Sequence, residues 1–158
     1  MTYVGIDNGS SGTIAILSDS LIHFGKVPTK KEFSYTKKKQ KVTRIDTKKL
    51  KELLINLSDA KVTIERPLVN PGRFKATVSG IRALEAVLIV VEELGYPVSY
   101  IDSKEWQKVL LPGSKGKQLK THSLLVGNEL FPEIQHFKHP DRDGLLIAVY
   151  SKQKDVKE

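Results

Sequence analysis

Three acidic residues stand where separate local signals turn the backbone at the edge of a core. They are Asp7 in the segment Val4-Gly-Ile-Asp-Asn-Gly-Ser-Ser-Gly-Thr13, Glu65 in Val62-Thr-Ile-Glu-Arg-Pro67, and Asp143 in His139-Pro-Asp-Arg-Asp-Gly-Leu-Leu-Ile-Ala148. Each has a plainer reading. Aspartate before Asn-Gly is ordinary turn chemistry, Glu65 has Arg66 and Arg73 as ion-pair partners, and Asp143 in a first helical turn suits the helix dipole. Their convergence argues for more, because strand ends and a helix start on one sheet edge are where α/β folds gather sites. In a chain of formal charge +8, carboxylates that gather instead of dispersing are suited to hold divalent cations against a polyanion, and the commonest polyanion is nucleic acid.

The elements that must position these acids follow from the pattern of apolar residues. Tyr3 to Ile6 is predicted as a strand, Asn8 to Gly12 as a turn, and Thr13 to Leu17 and Leu21 to Val27 as further strands of a β-meander. From Lys30 to Lys51 ten residues are basic and two acidic, with few apolar anchors before Ile45. That composition predicts a mobile basic loop or arm at about 28–46, either a DNA contact or only a solubilising insertion. Asp46 or Thr47 caps a helix through Leu50, Leu53, Leu54 and Leu57. Val62 to Ile64 form a buried strand that delivers Glu65, and Pro67 stops it.

Val78, Ile81, Leu84, Val87, Leu88, Val91 and Leu94 cover more than one face of a helix closed by Gly95. One side is expected on the sheet, the other against a partner subunit or a covering helix of the same chain. Val98 to Ile101 is a strand, and Asp102 with Glu105 makes a capping box for a helix through Trp106, which reads as core packing more than as a base-stacking platform. Pro112 to Gly116 is a flexible basic loop, Lys117 to Phe131 an amphipathic helix stopped by Pro132, and the last helix runs from about Asp141 to Lys152. Strand followed by helix predicts parallel crossovers, and the sum is an α/β mixed β-sheet flanked by helices in a single domain.

Bulk composition narrows the function classes. A chain of 158 residues with 39% hydrophobic residues buries one real core and is short for two domains. Lys and Arg total 26 against 18 Asp and Glu, a balance that draws a protein to phosphate and makes binding salt dependent. The absence of cysteine excludes a disulfide frame and a cysteine zinc site and suits a reducing compartment. The histidines at 23, 122, 136 and 139 share no zinc-site spacing. No N-terminal stretch has the pattern of a signal peptide and no apolar run is long enough to cross a bilayer, so a cytoplasmic location and no membrane partner are expected.

Taken in order, Gly5-Ile-Asp-Asn-Gly-Ser-Ser-Gly-Thr13, Ile64-Glu-Arg-Pro67, Asp102-Ser-Lys-Glu-Trp-Gln-Lys108 with its Gly/Lys loop, and Asp143-Gly-Leu-Leu-Ile-Ala148 resemble the RuvC-type Holliday-junction resolvases, most of all the short bacteriophage and poxvirus forms. The resemblance spans nearly the whole chain. It implies an RNase H-like fold, a homodimer, and two Mg²⁺ ions per site with Mn²⁺ as a substitute. It also implies symmetric endonucleolytic cleavage of four-way junctions and related branched DNA such as forks, and for a viral chain the host cytoplasm. Asp7, Glu65 and Asp143 match three acids of the family's metal site. The bacterial enzymes carry the fourth ligand three residues before the last aspartate, here Pro140, which cannot ligate. Asp141 is the preferred substitute because hard cations favour carboxylate, His139 is the other candidate, and Asp141 is equally placed to cap a helix.

Lys115 and Lys117 fall where the family places lysines beside the scissile phosphate, or they are merely a solvated helix start. Lys117 is the expected catalytic cation, and Lys37, Lys38, Lys39, Lys41, Arg73, Lys115 and Lys120 are the further expected DNA contacts. Three residues beyond Glu65 bacterial relatives carry an aromatic; here Leu68 stands, with Phe74 nearby as a packing residue or a stand-in wedge. Base stacking needs a π-face, so relaxed sequence specificity is expected.

Phosphodiester hydrolysis needs an activated water, neutralisation of charge on the phosphorus oxygens and support for the departing oxygen, and two ions about 4 Å apart meet all three needs. Without metal the acids would be a cluster of like charges with at least one raised pKa. Two rivals start from the same residues. An actin-like nucleotide phosphotransferase also opens with an aspartate in a Gly/Ser turn but needs two lobes, and a non-catalytic branched-DNA-binding module accounts for the basic charge equally well.

Overall fold

The computed structural model describes residues 1–157. Five strands form the main sheet: β1 (Thr2–Ile6), β2 (Thr13–Leu17), β3 (Leu21–Lys26), β6 (Ala60–Glu65) and β7 (Val98–Ile101), in the order β3-β2-β1-β6-β7. Strand β2 is antiparallel to both neighbours, whereas β6 lies parallel to β1 and β7 parallel to β6. Four strands therefore end at one edge, and Asp7 and Glu65 follow the paired residues Ile6 and Ile64 there. Alternation along β1 sends Val4 and Ile6 to the face covered by α1 (Thr47–Leu54) and α2 (Phe74–Glu93), in a core with Ile14, Ile16, Leu50, Leu54, Val62, Ile64 and Val87. Tyr3 and Ala15 face α5 (Asp143–Lys157), with Leu145, Ala148 and Val149. Helices α3 (Ser103–Leu110) and α4 (Gln118–Leu130) complete that second layer, Trp106 and Leu111 packing on Leu146 and Ile147. Fully burying side chains of this size contributes about 1.5–3 kcal/mol each.

Three elements depart from expectation. The basic segment at 28–46 is a two-stranded hairpin, β4 (Thr29–Phe33) paired antiparallel with β5 (Lys41–Ile45). Lys30 lies opposite Arg44, and Glu32 offsets both through ion pairs of 2.7 Å. Helix α2 starts earlier, at Phe74, and buries one side only, leaving Ile81 and Ile89 46% and 54% exposed. The last helix starts at Asp143, two residues later than expected, and runs on to Lys157. Asp46 caps α1 by accepting from the Lys49 N–H at 3.1 Å, as expected. Among the described residues no helix is long and apolar enough to cross a membrane.

Candidate active site

Each acid reaches the sheet edge by a different device. The turn after β1 is closed by Asp7 N–H donating to the Thr13 carbonyl at 3.0 Å and Gly12 N–H to Gly9 at 3.2 Å. A Cβ on Gly12 would collide with the Asp7 carbonyl oxygen, so the tight return that aims Asp7 requires glycine. Helix α5 lies against β1 and β2 at backbone contact. A Cβ on Gly5 would strike Gly144 and Ala148, and one on Gly144 would strike Thr13. The Thr13 hydroxyl accepts from the Gly144 N–H at 2.9 Å, which sets the N-terminus of α5, and Asp143 with it, over the start of β2.

Asp7, Asp141 and Asp143 each offer one carboxylate oxygen within 4.8 Å of the others. Asp141 is 3% exposed, and its Oδ1 accepts from the Asp143 N–H at 3.2 Å. One carboxylate thus satisfies the first N–H of α5 and also lies in the cluster. His139 stands behind it, with Nδ1 3.5 Å from Asp141 Oδ1 and Nε2 3.1 Å from the Ser11 carbonyl, and so bridges the acid loop to the Asp7 turn without joining the closest group. Glu65 is also outside that closest trio, although its charge raises the pKa of Asp7.

Burial and mutual repulsion push the acids in one direction. Asp7 is raised well above its ordinary value by burial and then by Glu65, Asp143 and Asp141. Burial raises Glu65 to about 7 against the stabilising Trp106 hydrogen bond, and burial with Asp141 raises Asp143 to about 6 against the Ser123 hydroxyl. A cluster in which several carboxylates resist ionisation, with oxygens close enough to share one ion, fits a hard divalent cation bound through oxygen. The nearest cation of the chain is Lys120, with Nζ 4.0 Å from Asp141 Oδ2. Lys117 and Lys115 are exposed at the start of α4 and make no ion pair with these acids among the described residues. Lys37, Lys38 and Lys39 lie exposed in the bend between β4 and β5, Lys41 opens β5 over the Phe33 ring at 6.0 Å, and Arg73 is exposed just before α2.

Three supporting contacts were not legible in the sequence, where Trp106 reads as core packing and Ser123 and Arg142 carry no signal. Ser123 of α4 donates to Asp143 Oδ1 at 2.5 Å and accepts from the Arg142 N–H at 3.0 Å. Arg142 is wholly buried, and its guanidinium donates to the carbonyls of Ile134, Phe137, His139 and Asp141 and to Asn128 Oδ1, stacked 5.3 Å from the Phe24 ring. It ties down the loop that presents Asp141. Trp106 Nε1 donates to Glu65 Oε2 at 2.8 Å. A search for Ser, Arg or Trp by type finds these residues without their role, because the role arises only when α3, α4 and α5 pack together.

Thermus thermophilus RuvC in complex with a Holliday junction substrate aligns with a TM-score of 0.64 at 18% identity, over 94% of this chain and 90% of that one. A second structure of Thermus thermophilus RuvC aligns with a TM-score of 0.58 at 19% identity, over 98% and 97%. The fold is that of RuvC. The RuvC-type, RNase H-like sheet explains why the acids meet at the strand ends, and identity this low carries the architecture alone. No family profile matches the chain, and no curated protein sequence matches it.

Proposed function

We propose that the chain is a metal-dependent endonuclease that cuts Holliday junctions and related branched DNA by paired symmetric nicks from a homodimer, with relaxed sequence specificity. The observation that carries this reading is the gathering of Asp7, Asp141 and Asp143, with Glu65 alongside, into one cluster of carboxyls on a chain of net charge +8. Asp7, Asp141 and Asp143 would hold the divalent ions, Mg²⁺ or Mn²⁺, with Glu65 as the flanking ligand. Bound there, two such ions supply an activated water and charge neutralisation on the phosphate. Lys120, with Nζ 4.0 Å from Asp141 Oδ2, meets the phosphate in the role the resemblance gives to Lys117. The lysines of the β4–β5 bend, with Arg73, Lys115 and Lys117, take the duplex arms through phosphate. Leu68 and Phe74, 77% and 73% exposed, lie on the segment after Glu65 and offer apolar surface at the opened crossover; with an aliphatic side chain at 68, base reading is weak.

The test is a synthetic four-way junction series of varied sequence with Mg²⁺. Wild type is expected to make paired nicks at many sequences. Asp7→Asn, Glu65→Gln and Asp143→Asn are each expected to lose nicking by about 10³-fold, several kcal/mol of transition-state stabilisation, with junction affinity kept. Junctions bound by wild type but left intact would make the chain a non-catalytic binding module, and a single narrow consensus would overturn the specificity.

A further inference from the structure

Trp106 is the chain's one tryptophan. It is fully buried on α3 among Ile101, Leu111, Leu146 and Ile147. Packing alone would be met by any large apolar side chain, and a buried indole needs only some acceptor for its N–H. The acceptor here is Glu65 Oε2, at 2.8 Å, on the carboxylate that β6 brings to the site edge. The surrounding backbone fixes both partners. Glu65 pairs in register with Ile101 at the ends of β6 and β7, and the Arg66 N–H donates to the Ile101 carbonyl at 2.9 Å. Arg66 Nη1 then donates to Asp102 Oδ1 at 3.0 Å, and the Asp102 N–H donates to Glu105 Oε2 at 2.9 Å. The start of α3 is thereby locked to the residue after Glu65, one helical turn from Trp106.

We propose that Trp106 is a positioning residue for Glu65. Its indole N–H holds Oε2, fixes the terminal torsion of a side chain that otherwise rotates broadly, and presents the carboxylate to a divalent ion in one orientation. The proposal rests on reading the acid cluster as a metal centre, and it adds a residue outside the ligand set. Glu65 lies beyond the closest trio of oxygens, so its contribution depends on orientation more than that of the three aspartates.

Because the tryptophan is single, replacing it throughout the full chain by β-(3-benzothienyl)alanine changes this site alone, exchanging the N–H for sulfur at nearly constant shape. Mn²⁺ affinity is then measured by calorimetry without DNA, beside the melting temperature of the metal-free chains. The expected result is Mn²⁺ affinity weakened about 10- to 100-fold, with melting temperature and junction affinity little changed. Equal Mn²⁺ affinity in the two chains overturns the proposal. A second measurement holds even if the analogue folds poorly: Trp106 emission in the natural chain is expected to be quenched by Mn²⁺ at the calorimetric midpoint. Emission indifferent to bound Mn²⁺ overturns the proposal. If junctions stay uncut while Mn²⁺ affinity does depend on the indole N–H, the nuclease reading fails and this one stands.

Discussion

At the scale of residues, burial and like charge hold the carboxyls of Asp7, Glu65 and Asp143 in unfavourable company. Glu65 sits at about 7 and Asp143 at about 6 in the folded chain, above the 4.5 and 3.8 of free side chains. Between those values the folded chain binds more protons than the unfolded one, so the stability these groups contribute is full below about pH 4 and is lost as pH rises through 6 to 7. Metal-free wild type is therefore expected to lose melting temperature relative to Glu65→Gln between about pH 5 and pH 8, and saturating Mg²⁺ is expected to close the gap. Parallel melting curves across that range would contradict it. Divalent affinity should rise over the same interval, since binding must displace the protons. The placement of Asp7, Glu65 and Asp143 at element ends was legible in the sequence, because each stands beside a glycine, a proline or an apolar run. The geometry of Asp141 was half legible, as cap or ligand, and the packed chain makes both roles available to one side chain.

At the scale of elements, the apolar strands and capped helices were readable from local pattern, but the hairpin was not. Seven lysines and arginines between residues 30 and 44 argue for a solvated loop. What forms the strands instead is backbone pairing across the bend and Glu32 set between Lys30 and Arg44, and pairing partners this distant leave no trace in composition. The hairpin departs from the sheet edge that carries the acids: Val27 N–H donates to the Gly12 carbonyl and Asp46 N–H to Pro28, at 3.0 and 2.8 Å. Its base is thus tethered beside the Asp7 turn, and the bend at its far end exposes Lys37, Lys38 and Lys39. Replacing these three by alanine is expected to lower the slope of log affinity against log salt by about 2.7, near 0.9 per phosphate contact, while nicking of bound junction continues. An unchanged slope in a salt titration would remove the hairpin from the DNA surface. The close contact of α5 with β1 was equally hidden, since Gly5 and Gly144 lie 139 positions apart in the chain and only their shared lack of a Cβ lets the helix bring Asp143 to Asp7.

At the scale of the whole molecule, the two-sided helix read from the sequence has one side on the sheet and one side open. Ile81 and Ile89 on the open face of α2, with Phe74, Leu68 and Val69 nearby in the chain, are exposed, and a second copy of the chain is the partner that paired nicking requires. Ile81→Glu with Ile89→Glu is expected to weaken self-association by at least about 30-fold in sedimentation and to turn paired nicks into single ones. A wild-type chain that sediments as a monomer at working concentration would leave a nickase. The metal centre itself is read by diffraction from crystals soaked in Mn²⁺. Anomalous peaks are expected among the carboxylates of Asp7, Asp141 and Asp143, with Glu65 turned toward them; Mn²⁺ bound elsewhere, or no peak at the strand ends, would contradict a metal centre there.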